Sequence, residues 1–149
     1  MRALRAHANG REAATGLLDG AGLVASYYTL SGAPVFEPSR YPFVDRVAAA
    51  QRAGFAGLGM TVEDFDAVVA SGLSPAGMRE LLDTHEVGVP ELEGIGPWDR
   101  DGADRERSRR TEERLYELAE LFGSRRLNVG VIDGDGTGCL LYTSDAADE

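Results

Sequence analysis

From Gly22 onward, apolar positions alternate between two textures. Short dense runs rich in strand-formers, at residues 23–30, 55–60, 89–95 and 127–132, predict four β-strands. Between them, apolar residues recur at helical spacing. Phe43, Val47 and Ala50 follow Pro42, a residue suited to a first helical turn, and Gly54 follows as a stop. Thr61, with Asp64 three residues on, opens a short helix carrying Phe65, Val68 and Val69. Ser74-Pro75 opens another, with Met78, Leu81, Leu82 and His85 on one face. Asp104 or a neighbour caps a long helix whose apolar stripe is Leu115, Leu118, Ala119 and Phe122, closed by Gly123.

The strands begin near residues 23, 55, 89 and 127, and each interval holds at least one amphipathic helix. Strand–helix–strand units of this size are right-handed parallel crossovers, so a parallel sheet is expected. An open doubly wound sheet and a closed (β/α)8 barrel both accept the pattern. Alternation within the strands separates them. Leu127, Val129 and Val131 share one face against Asn128 and Gly130. Leu92 opposes Glu91 and Glu93, and Ala56, Leu58 and Met60 oppose Gly57 and Gly59. A doubly wound sheet covers both faces with helices and tends to strands that are apolar throughout. One apolar and one small or polar face suits a barrel wall. Four units fill about 110 residues, where a whole barrel needs about 250. The expectation is therefore α/β, with parallel βα repeats forming about the first half of a truncated (β/α)8 TIM barrel.

Charge and composition narrow the function classes. The 149 residues carry 15 basic and 25 acidic side chains, a net charge of −10, which argues against nucleic acid as a partner. Every basic residue is arginine. Without a lysine, Schiff-base aldolases, Walker-A phosphate loops and receiver-type domains are excluded, since each needs that amine. No apolar run reaches the roughly 20 residues of a membrane span. Residues 1–21 hold Arg2, Arg5 and Arg11 but no apolar core, so they read as a disordered leader and not as a secretory signal. The lone Cys139 cannot form an internal disulfide. A cytoplasmic protein with no membrane partner is expected.

Residues 41–59, running through Arg52-Ala53-Gly54-Phe55-Ala56-Gly57, resemble the first helix and second strand of the sugar phosphate isomerase/epimerase family, the xylose isomerase-like barrels. Residues 72–82, then Pro90-Glu91-Leu92-Glu93, then Phe122-Gly123 with Asn128-Val129-Gly130, continue the likeness in order and spacing. It covers residues 22 to about 134 and implies that 22–138 form half of such a barrel. The parent protein is then an isomerase or epimerase acting on a sugar or sugar phosphate. Its chemistry is metal-assisted proton or hydride transfer between adjacent carbons. A divalent metal is implied, with Mn, Mg, Co and Zn equally allowed. The family draws most of its metal ligands from later strands, so none is assigned here and the isolated half is expected to be inactive. Some members place histidine after the second or third strand, where this chain has Met60-Thr61 and Gly94-Ile95. A metal-dependent abasic-site endonuclease-like barrel is therefore the weaker alternative; a non-catalytic open-sheet fragment is another. Residues 139–149 resemble one reading frame of a transposase adapter used in sequencing libraries. Removing Asp145, Asp148 and Glu149 with them takes the net charge from −10 to −7.

Candidate chemistry gathers at strand ends, where barrels keep their active face. Glu93 lies nearer the C-terminal end of the third strand than Glu91 and is the candidate catalytic carboxylate. The alternative for either glutamate is an internal polar network or an arginine partner. Tyr28, Thr29, Trp98, Asn128 and Asp133 are the candidate sugar contacts, Trp98 as an apolar wall for a ring. Asp133-Gly134-Asp135-Gly136-Thr137-Gly138 matches a phosphatase nucleophile loop and the start of a calcium loop. The missing lysine and a serine, Ser144, at the twelfth calcium position turn both down in favour of a glycine-rich turn. Open edges at the first and fourth strands predict self-association.

Overall fold

The computed structural model describes residues 22–34, 37–96 and 101–129. The leader, Trp98, Asp133 and residues 139–149 lie outside the described residues.

Local signals set most of the elements. Thr61 Oγ1 accepts the Asp64 N–H and Ser74 Oγ accepts the Gly77 N–H, each at 3.1 Å, so both expected helix starts form. The chain runs β1 (Val24–Ala25), α1 (Tyr27–Ser31), α2 (Phe43–Arg52), β2 (Gly57–Leu58), β3 (Met60–Thr61) and α3 (Val62–Ala70). It continues through α4 (Pro75–His85), β4 (Glu91–Ile95), α5 (Ala103–Phe122) and β5 (Arg126–Val129). Gly123, at φ 72°, ends α5 in the left-handed conformation that glycine adopts without a Cβ clash. Asp104 sits in the first turn of α5, behind the N-cap Gly102, where its charge favours the positive end of the helix.

Among the described residues every strand pairing is parallel: β1 with β2, β3 with β4, and β4 with β5. Only Gly59 separates β2 from β3, and a bridge from Gly57 to Gly88 carries β2 alongside the approach to β4. Among the described residues the strands thus form a two-stranded sheet, β1–β2, and a three-stranded sheet, β3–β4–β5, with neighbours in chain order, an arrangement compatible with barrel-like βα repeats. The expected parity also appears. Leu58, Met60 and Leu92 enter the core with Val47, Met78, Leu115 and Leu118 from the helices, and Leu127 packs against it. That leaves Gly57, Gly59, Glu91 and Glu93 to the other side of the sheet.

Two expectations are corrected. Residues 23–30 form no long strand: β1 ends at Ala25 and the chain turns into α1 at Tyr27. Strand-forming side chains lose there to a buried acceptor from β4 that holds the first helical N–H, and Gly32, at φ 63°, closes the turn. Val129, read as core-facing with Leu127, is 52% exposed. It ends β5, paired with Ile95 beyond a shift in register between Glu93 and Ile95.

Candidate functional site

The first strand ends in a tight turn whose donors are met from across the sheet. The Tyr27 N–H donates to Glu93 Oε1 at 2.6 Å, and Ser26 Oγ donates to Glu93 Oε2 at 3.2 Å. Glu93 comes from β4, two strand positions away, and its carboxylate passes over Gly59. A Cβ at Gly59 would collide with Glu93 Oε1 and approach the Tyr27 nitrogen to 2.8 Å. Glycine is needed here for space, not for an unusual backbone angle. Glu93 is only 6% exposed, and both of its oxygens already have donors. It thus lies in an internal polar network, the second of the roles the sequence left open, and its partners are a backbone amide and a serine.

Glu91 shares that face and is half-buried. Burial raises the proton affinity of its carboxyl above the ordinary value, the nearby Glu93 charge raises it further, and Asn128 and Arg126 pull it back. Asn128 is the register partner of Glu93 on β5 and is exposed. The structure therefore brings Glu91, Glu93 and Asn128 together along one sheet face. Tyr28 and Thr29 follow Tyr27 on α1, Thr29 exposed and Tyr28 packed edge-on to the Tyr27 ring at 5.1 Å.

A second polar cluster escaped the sequence reading. Arg46 Nη2 donates to Asp64 Oδ1 at 3.0 Å and Oδ2 at 2.8 Å, with 2% and 1% of these side chains exposed. The guanidinium stands 5.3 Å from the Phe43 ring centre and 5.9 Å from that of Tyr27. Asp64 also accepts the Ser39 N–H at 3.1 Å, and Tyr27 Oη donates to the Glu37 carbonyl at 2.7 Å. Burial, and then the Asp64 charge, push the Tyr27 phenol above its ordinary 10.0, with Arg46 opposing. The cluster ties α1, the 37–42 loop, α2 and α3 together. One signal could have found it: Arg46 stands inside the stripe of Phe43, Val47 and Ala50, where a charge needs a buried partner.

The run 101–114 behaves as a solvated helix start. Arg107, Arg110 and Arg114 form exposed pairs with Asp104, Glu106 and Glu117, and Arg105 a half-buried one with Glu112. Among the described residues no three His, Cys, Asp or Glu side chains gather as metal ligands. The divalent ion implied by the resemblance finds no donor set there. No helix of the described residues is long and apolar enough to cross a membrane. No protein-family model matches the chain, and no curated protein matches it.

Proposed function

We propose that this chain is the leading half of a sugar-processing (β/α)8 barrel of the isomerase/epimerase kind. Its parent transfers a proton or hydride between adjacent carbons of a sugar or sugar phosphate. One observation supports this reading above the others: Glu93 reaches from β4 over Gly59 to the turn after β1. In a flat sheet, strands two positions apart are about 9.5 Å from each other, twice the usual strand spacing. A glutamate closes that gap where the sheet rolls toward its polar face, as a barrel wall does. Thr29, Tyr28 and Asn128 carry neutral hydrogen-bonding groups of the kind suited to sugar hydroxyls.

The test is the complete coding sequence. Four further strand–helix units carrying Glu, Asp and His at strand ends are expected downstream. The full-length product should interconvert or epimerise sugars from a panel of pentoses, hexoses and their phosphates with a divalent metal present. A natural stop codon soon after Gly138, or a full-length product inert toward the whole panel, overturns the reading. The 149-residue chain alone is expected to show no turnover.

A further inference from the structure

Ser26 precedes α1 at the N-cap position but makes no capping bond with its own side chain. Glu93, 66 residues beyond Tyr27, instead accepts the Tyr27 N–H, the first of the helical amides that has no partner within the helix. Gly59, from the strand between, leaves the room in which the carboxylate lies. Three adjacent strands thus provide a turn, a gap and an acceptor. We propose that Glu93 is a positioning residue, which fixes α1 so that Tyr28 and Thr29 are presented to a sugar. The proposal rests on the reading of these residues as a sugar site, and it departs from the catalytic role the sequence suggested for Glu93.

Positioning requires acceptors and does not require a charge. A glutamine at this position keeps one oxygen for the Tyr27 N–H. Its amide nitrogen can donate to Ser26 Oγ, since a serine hydroxyl accepts as well as donates. Alanine leaves a buried N–H without a partner.

Amide hydrogen exchange by NMR on the 149-residue chain tests this, together with a titration of D-xylose. Glu93→Gln is expected to leave the exchange of the α1 amides within about twofold of the parent. Glu93→Ala should speed that exchange about tenfold or more while α2 to α5 stay protected. Gly59→Ala keeps the glutamate but evicts it, and should loosen α1 in the same way even if Glu93→Ala fails to fold. D-xylose should shift the Thr29 signal in the parent and in Glu93→Gln alike, and lose that effect in the two loosened variants. Equal loosening by glutamine and alanine, or no loosening by either Glu93→Ala or Gly59→Ala, overturns the positioning role. If neither D-xylose nor any other member of the panel of pentoses, hexoses and their phosphates shifts Thr29 in any variant, the sugar reading of these residues fails, while the exchange data still decide what Glu93 does.

Discussion

Arg46 is a full charge placed inside an apolar stripe, and it is tolerable only because Asp64 meets it there. Removing one member of a buried pair strands the other, which typically costs about 3–5 kcal/mol. Asp64→Ala is therefore expected to lower the urea-unfolding free energy by that order, and the double change Arg46→Met with Asp64→Leu should recover at least half of it. A single-variant loss below about 1 kcal/mol would mean the pair is not the brace between α2 and α3. Glu91 makes a prediction of a different kind. Its carboxyl binds protons more tightly in the folded chain than its ordinary value of 4.5. Between the unfolded and folded values the native state holds more protons, so this contribution is full on the acid side and is lost as pH rises through the folded value. Glu91→Gln should accordingly raise stability near pH 7 and change it little near pH 4, as read from urea titrations at both. A loss near pH 7 would show that Asn128 and Arg126 outweigh the burial.

At the level of elements, the helix starts differ in how deeply their caps are placed. Thr61 is buried where α3 begins, whereas Ser74 is exposed where α4 begins, yet each accepts one N–H at the same distance. Thr61→Ala should cost about 1–2 kcal/mol and Ser74→Ala about 0.5–1 kcal/mol in chemical denaturation. A reversed order would mean that burial does not strengthen the cap. Such caps were readable in the sequence because donor and acceptor lie three residues apart. Alternation likewise revealed which strand face is small or polar, from Gly57, Gly59, Glu91 and Glu93. The same reading failed at α1, where Tyr27, Tyr28 and Thr29 look like strand residues and the deciding acceptor stands 66 positions away. It missed Arg46 and Asp64 for a related reason: Arg46 breaks an apolar stripe, but the partner that this calls for lies 18 positions away on another helix. Glu93 stands in the middle of β4, and no local pattern could show that its two oxygens were engaged by Tyr27 and Ser26.

At the scale of the described chain, the parallel strands form two sheets, β1–β2 and β3–β4–β5, linked by the bridge from Gly57 to Gly88, and β1 and β5 stand at the outer ends. Leu23, 70% exposed beside β1, and Val129, 52% exposed at the end of β5, mark the two rims. Edges of this kind recruit other chains. Sedimentation velocity is expected to show mass rising with protein concentration, and more strongly at high salt, which screens the repulsion between copies of net charge −10. A monomer at every concentration and salt level would count against it. Gly59 and Glu93 also bear on the order of folding. The bond over Gly59 can close only when β1, the β2–β3 strand and β4 already lie side by side, so it has the character of a late step with a long chain loop behind it. In stopped-flow experiments Gly59→Ala should therefore leave the refolding rate nearly unchanged and speed unfolding. The carboxylate that seats α1 would then set how long the folded chain lasts, and have little influence on how fast it arrives.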